Sequence, residues 1–150
     1  MLEILSPAGS PEGVIAAVQS GADAIYMGFG EHNARRGAKN FTDEEFADSV
    51  RYCRVRGCKV YVTLNTLAAD RELRRVAALA GRAAELGADA ILVQDLGLAR
   101  VLRSVLPDMP LHASTQMSVH NLDGVYAAAE LGMKRVVLAR ELNMHQIEYI

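Results

Sequence analysis

Apolar residues recur at two spacings along the chain: in short continuous runs, and in longer stretches where they fall every three or four residues among charged ones. The short runs are typical of buried strands and the longer stretches of amphipathic helices. A glycine stands between a helical stretch and the following run at Gly21, Gly57, Gly87 and Gly132. Because glycine has no Cβ, it suits the left-handed residue just past a helix end. The pattern therefore predicts repeated helix–strand units.

The runs after these glycines are almost wholly apolar, which indicates strands covered on both faces, as in a parallel sheet. Two further strands are predicted at residues 2–5 and 110–113, which continue the same alternation. Together these runs predict six parallel strands.

Capping residues mark where the helices begin. Thr42 and Glu45 match a capping box, in which a hydroxyl and a carboxylate each bond the other residue's backbone N–H group. Ser10 followed by Pro11 is a second strong start, because proline suits the first helical position. Further starts are predicted at Asp70, Asp95, Asn121 and Asn143. Five full helices and the start of a sixth are expected.

Six strands and five to six helices match part of a TIM-type (β/α) barrel, because a closed barrel has eight of each in about 250 residues. We therefore predict an α/β chain that forms a partial TIM-type barrel, truncated before closure. An open, doubly wound sheet of six strands suits the same length and is the alternative. Open edges at the first and sixth strands predict self-association or strand exchange.

The composition excludes several classes of protein. No stretch approaches the ~18 uninterrupted apolar residues of a membrane span, and the first residues lack the basic start of a secretion signal, so a cytoplasmic protein is expected. The formal net charge of -2 over 150 residues argues against a broadly basic nucleic-acid-binding surface but leaves local basic patches open.

The two cysteines do not form a metal motif. Four residues separate Cys53 from Cys58, a poor match to zinc-binding spacings, and two ligands cannot complete a tetrahedral site. We interpret both as structural thiols and predict no metal or cofactor within this chain.

Polar residues follow the predicted strands at their carboxyl ends, where ligands bind in both fold alternatives. The candidate substrate-binding residues are Asn33 and Arg35 after the second strand, Asn65 after the third, Gln94 and Asp95 after the fourth, Ser114, Thr115 and Gln116 after the fifth, and Arg140 and Glu141 after the sixth.

Several of these candidates have a structural interpretation as well. Arg35 lies in an unusually long βα connection. Two interpretations of its guanidinium are open: that it binds a carboxylate or phosphate, or that it is a solvated surface charge. Asp95 is also a candidate helix cap, and Arg140 with Glu141 a candidate salt bridge on the rim. Ser114 and His112 share one strand face about 6.6 Å apart, too far for a direct hydrogen bond, which argues against nucleophilic hydrolysis.

Seven stretches of the sequence resemble peptidase family U32, the collagenase-like proteases. They are LSPAGSPE at 5–12, GADAIY at 21–26, NAR at 33–35 with NFT at 40–42, VTLNT at 62–66, VQDLG at 93–97, HASTQM at 112–117 and VLAREL at 137–142. They occur in order along essentially the whole chain.

The resemblance implies that residues 1–150 are the N-terminal barrel segment of a longer protein, whose remaining strands and cysteine-rich region lie downstream. It implies that the intact protein is an iron–sulfur enzyme that hydroxylates RNA bases or a quinone precursor. The downstream cysteines, and not Cys53 or Cys58, would hold that cluster. Proteolysis of a peptide substrate by an unassigned mechanism, or a noncatalytic binding barrel, are the alternatives. The segment alone is expected to be inactive.

Overall fold

The computed structural model describes residues 2–30 and 41–150. In these ranges six parallel strands form one sheet. The strands are β1 (Leu5–Pro7), β2 (Ala24–Gly28), β3 (Lys59–Leu64), β4 (Ala90–Val93), β5 (Leu111–Ala113) and β6 (Met133–Val136). The helices are α1 (Pro11–Gln19), α2 (Asp43–Val55), α3 (Asp70–Glu85), α4 (Leu96–Val105), α5 (Leu122–Glu130) and α6 (Met144–Tyr149), with a 3-10 turn at Thr115–Met117.

The order of the strands distinguishes the two predicted folds. A doubly wound sheet changes direction at a switch point, so its strand order departs from chain order. Here every strand pairs in parallel with the next one along the chain, from β1 to β6. The partial TIM-type barrel is confirmed, and the doubly wound alternative is wrong.

The sheet is strongly curved, as a side-chain contact across its inner face demonstrates. Glu3 lies just before β1, and its carboxylate forms an ion pair with Arg135 of β6. In a flat sheet the first and sixth strands would lie about 24 Å apart, at about 4.8 Å per strand. Two side chains cannot reach across that distance, so the ion pair requires the sheet to curl as it does in a barrel.

Five of the six predicted helix starts are confirmed as side-chain caps, whereas Asp70 is the first residue of α3 and Ala69 occupies the cap position. At α2, Glu45 N donates to Thr42 Oγ1 at 3.1 Å, and Thr42 N donates to Glu45 Oε2 at 2.9 Å. Ser10, Asn121 and Asn143 accept from backbone N–H groups in the first turns of α1, α5 and α6. These bonds reach only three residues along the chain, which explains why the local sequence predicts them.

The predicted position of the first strand is wrong. The strand occupies Leu5–Pro7, not residues 2–5, because pairing with β2 begins where Leu5 lies opposite Ala24. Leu2 and Ile4 are exposed despite being apolar, and Ile4 N donates to the Asp23 carboxylate at 2.8 Å. Pairing with the neighbouring strand, and not the apolar run, sets the start of β1.

The main core lies between the sheet and the helices and includes both cysteines. Cys53 and Cys58 are free and buried in this layer. Burial raises the pKa of the Cys53 thiol to about 12 and also raises the pKa of Cys58. Both thiols therefore stay protonated near neutral pH, in agreement with their interpretation as structural residues.

A smaller cluster fills the inner face of the curved sheet. It consists of Ala24, Tyr61, Ala90 and Leu92.

Within residues 2–30 and 41–150, no helix combines the length and the hydropathy that a bilayer crossing needs.

Candidate binding site at the mouth of the barrel

Two predicted site residues meet directly at the carboxyl end of the sheet. Asn65 follows β3 and Ser114 follows β5, and Asn65 Nδ2 donates to Ser114 Oγ at 3.2 Å. β4 lies between the two strands in the sheet. The amide therefore reaches across the end of β4 on the concave side, which is where the mouth of a barrel lies. Ser114 is only 3% exposed and forms the floor of this contact.

The backbone around Ser114 is held by local hydrogen bonds. Ser114 N donates to Val93 O at 2.8 Å, which extends the pairing of β5 with β4. Ser114 Oγ also accepts from Gln116 N at 3.3 Å and so caps the 3-10 turn. Thr115 is partly buried and Gln116 is exposed, and Gln94 at the end of β4 is partly exposed. The turn thus presents polar side chains beside the Asn65–Ser114 pair.

Asp95 has the structural role that its position after β4 suggested. Its Oδ1 accepts from Leu98 N at 2.8 Å and caps α4. Its Oδ2 accepts from Ala68 N at 3.3 Å, in the connection that leads into α3. The carboxylate therefore joins two neighbouring loops of the mouth.

Thr66 adds an unusual group next to Asn65. Its hydroxyl oxygen is buried and has no hydrogen-bond partner among the described residues. Buried polar atoms are almost always paired in native proteins, so an orphan at a strand end indicates a position that a ligand or a water can complete.

Sequence reasoning missed two apolar side chains on the rim. Leu67 is 67% exposed in the connection to α3, and Leu96 is 58% exposed at the first position of α4. They flank the Asp95 carboxylate and its partner Ala68. Apolar periodicity assigns such residues to a core, and only the tertiary structure reveals that they face solvent.

Arg140 and Glu141 lie farther from the sheet than predicted. β6 ends at Val136, and Ala139 N then donates to Val119 O at 2.8 Å, which draws the chain toward the connection between β5 and α5. Both side chains are exposed, and within the described residues they form no ion pair with each other. The predicted rim salt bridge is absent there. Asn33 and Arg35 lie outside the described residues.

His112 does not form a nucleophilic pair with Ser114. Its ring packs edge-on against Tyr61, with centroids 4.8 Å apart. Burial and the nearby Arg135 charge lower the pKa of His112 to about 4. Ser114 Oγ instead accepts from Asn65 and Gln116. His112 is therefore a neutral residue of the barrel interior, and the described residues hold no serine–histidine pair at the mouth.

The cysteines present do not fit an iron–sulfur cluster. Such clusters need several accessible thiolates, commonly four. Cys53 and Cys58 are buried behind the sheet with raised pKa values. Among the described residues, no three His, Cys, Asp or Glu side chains group in a way that could hold a metal.

The fold and the described site residues together define a (β/α)-barrel protein with polar side chains at its mouth. The model of peptidase family U32 matches residues 9–150, and the chain belongs to that family. This family membership confirms the resemblance that the seven sequence stretches carry.

Curated relatives with different names match nearly the whole length of this chain. The 23S rRNA 5-hydroxycytidine C2501 synthase of Escherichia coli K12 is 38% identical over 99% of this chain. The tRNA hydroxylation protein P1 of Bacillus subtilis is 37% identical over 97%. A collagenase of Porphyromonas gingivalis is 34% identical over 99%. The chain spans only 22%, 34% and 35% of these three relatives.

A solved structure of a U32 peptidase has the same fold. It superposes with a TM-score of 0.73 at 20% sequence identity, and the match covers 92% of this chain and 58% of that one. At this identity the likeness concerns the fold alone.

Proposed function

We propose that the protein belongs to the RNA-modifying branch of its family and takes part in hydroxylating a base of RNA, with the Asn65–Ser114 mouth receiving that base. Relatives at 38% and 37% identity are named for rRNA and tRNA hydroxylation, which supports RNA as the substrate. The activity is that of the whole protein, since the chain spans about a fifth to a third of these relatives.

The observation that carries this proposal is the Asn65–Ser114 hydrogen bond. It brings an amide and a hydroxyl together at the mouth without a charged group between them. Ser114 Oγ already accepts from Asn65 and Gln116, so its O–H group serves as a donor, and a hydroxyl donor beside an amide suits the polar edge of a nucleobase. Enzymes that modify bases read an extruded base by such hydrogen bonds and by apolar contacts with its faces. The exposed Leu67 and Leu96 supply apolar surface next to this pair.

An iron–sulfur cluster in the intact protein remains part of the proposal, with its cysteine ligands outside this chain. The residues described here would then bind and orient the substrate. No step of the chemistry is assigned to Cys53 or Cys58, because burial keeps both thiols protonated.

Two other reactions are alternatives. A quinone precursor is also a planar substrate that a polar mouth with apolar flanks accommodates. Proteolysis is favoured by the name of the Porphyromonas gingivalis relative. Among the described residues, no side chain that could act as a general base is bonded to Ser114. This argues for nucleobase binding over peptide hydrolysis.

We also propose that the protein acts in the cytoplasm, where an RNA substrate would be found. Self-association through the open edges of β1 and β6 is a further proposal. It rests on the unpaired backbone groups that edge strands present.

The experiment that tests the function is nucleoside mass spectrometry of rRNA and tRNA from cells with the gene disrupted. We expect a hydroxylated nucleoside to disappear and to return with the wild-type gene. Asn65→Ala should fail to restore it, whereas the control Gln19→Ala, an exposed amide at the far end of α1, should restore it.

Unchanged RNA nucleosides would contradict the proposal. An altered quinone profile in the same cells would then favour the quinone precursor, and hydrolysis of gelatin by the purified protein would favour proteolysis.

A further inference from the structure

Three arginines face solvent near the mouth of the barrel. Arg71 and Arg74 are the second and fifth residues of α3, and Arg100 is the fifth residue of α4. All three are exposed. Arg71 and Arg74 lie on the side of α3 opposite the face that buries Val76 and Ala80 against the sheet. We call these three residues the arginine strip.

The arginine strip lies near the amino-terminal ends of two adjacent helices. α3 and α4 pack against each other. The Asp95 carboxylate bonds Ala68 N just before α3 and Leu98 N in the first turn of α4, so the amino-terminal ends of the two helices are adjacent. Arg74 and Arg100 each occupy the fifth helical position, so both lie within about two turns of these ends.

The position of Arg71 is unfavourable for the helix that carries it. The amino-terminal end of a helix has a partial positive charge, and a cation there is repelled by it. Arg71 lies within the first turn of α3. Within the described residues, Arg71, Arg74 and Arg100 form no ion pair, whereas Arg82 of the same helix pairs with Asp43. An arginine that destabilises its helix and forms no ion pair in return is typical of a functional surface.

Apolar side chains connect the arginine strip to the mouth. Leu67 precedes α3 and Leu96 begins α4, and both are largely exposed. A positive strip with apolar side chains beside it complements a single-stranded nucleic acid, whose phosphates and base faces alternate in the same way. The net charge of the whole chain is -2, and Asp70 and Glu72 lie beside Arg71 in the first turn of α3, so the positive charge is confined to the exposed arginines.

We infer that the arginine strip binds the phosphates of the RNA strand whose base enters the mouth, with Leu67 and Leu96 against the neighbouring nucleotides. This inference rests on the proposed function, because RNA is the polyanion that the mouth would act on. Phosphate contacts position a strand and carry most of the affinity, whereas the mouth selects the base.

The test is a fluorescence-anisotropy titration of the full chain with a labelled single-stranded RNA at several salt concentrations. The triple variant Arg71→Gln, Arg74→Gln, Arg100→Gln should bind at least about tenfold more weakly at low salt. Its plot of log K against log salt should be shallower by about 2, since each phosphate contact on a single strand contributes about 0.7.

A matched control removes three exposed arginines from the opposite end of the barrel. Arg51, Arg54 and Arg56 lie in the last turns of α2 and at its C-cap. Their replacement by Gln should leave both the affinity and the salt slope unchanged. Thermal melting of both triple variants establishes that each is folded.

Unchanged RNA affinity and an unchanged salt slope in the Arg71, Arg74, Arg100 variant would overturn the inference. If that variant binds RNA normally but no longer binds an acidic protein, the arginine strip is a protein-binding surface and the inference is wrong. Failure of the proposed function is distinguishable. If RNA binding needs the arginine strip but gene disruption removes no hydroxylated nucleoside, the strip stands as an RNA contact and the hydroxylation proposal fails.

Discussion

Glu3, ahead of β1, and Arg135, in β6, form an ion pair across the inner face of the sheet. Tyr61 Oη donates to the same carboxylate at 3.0 Å, and Lys59 Nζ lies 3.3 Å from it. The hydrogen bond from Arg135 is the largest of the effects that lower the pKa of Glu3 from 4.5 to about 2. One carboxylate thus holds together strands at the two edges of the described sheet.

Glu3→Gln should lower the free energy of unfolding at pH 7 by about 1 kcal/mol. The effect is modest because the Arg135 side chain is 36% exposed, and solvent screens such a pair. The lowered pKa means that this stabilisation is present above pH 4.5 and is lost as the pH falls toward 2. Urea unfolding of both proteins at pH 7 and pH 3 measures the difference, with the exposed Glu130→Gln as control. A gap that widens in acid would contradict the role of the charge.

His112 should make the protein less stable in mild acid. Burial is the main cause that lowers its pKa from 6.5 to about 4, so the unfolded chain takes up the proton first. Stability should therefore fall as the pH decreases from 6.5 toward 4, and His112→Phe should remove part of that dependence. NMR titration of the imidazole checks the pKa directly. An imidazole that titrates near 6.5 would disprove its burial, and the exposed His145→Gln serves as the control.

Asp95→Ala should destabilise the protein by about 1 to 2 kcal/mol, because α4 loses its cap. Asp95→Asn should cost less. The asparagine oxygen can still cap Leu98 N, but its NH₂ group then faces Ala68 N, which needs an acceptor. Chemical unfolding of the three proteins ranks them. Equal stability of wild type and Asp95→Ala would mean that the carboxylate does not hold the two loops.

Two glycines of the α3 region should respond in opposite directions to alanine. Gly87 has a φ of +99°, and a Cβ there would lie 2.9 Å from the Arg54 side chain and 3.1 Å from Val50. Gly87→Ala should therefore destabilise by more than about 1 kcal/mol. Gly81 is inside α3, and a Cβ added there would meet no atom within 4 Å, so Gly81→Ala should stabilise by about 0.5 to 1 kcal/mol. Thermal unfolding compares the pair, and the same sign for both would contradict these backbone assignments.

Local sequence signals predicted the parts of the fold that depend on neighbouring residues. Thr42 and Asn121 cap their helices through bonds that span three residues, so their identity alone indicates the helix starts. The parallel sheet was predicted from the alternation of helices with apolar runs, a pattern that can also be read along the chain. The start of β1 was wrong because it depends on where Leu5 meets Ala24, nineteen residues later.

The candidate site was predicted less completely. Asn65 and Ser114 could be placed at strand ends from the sequence, but their contact depends on the curvature of a sheet that brings together residues 49 positions apart. The exposure of Leu67 and Leu96 depends on how the chain enters α3 and α4. Arg140 and Glu141 were placed at the end of a strand that in fact stops at Val136.

The most direct test of a base-binding mouth is amide chemical-shift mapping of the ¹⁵N-labelled chain during titration with a single-stranded oligoribonucleotide. Binding as proposed should shift the signals of Asn65, Gln94, Ser114 and Gln116 at the carboxyl ends of the strands. Shifts confined to the opposite end, around Lys59 and Arg135, or no shifts at all, would contradict a base-binding role for this mouth.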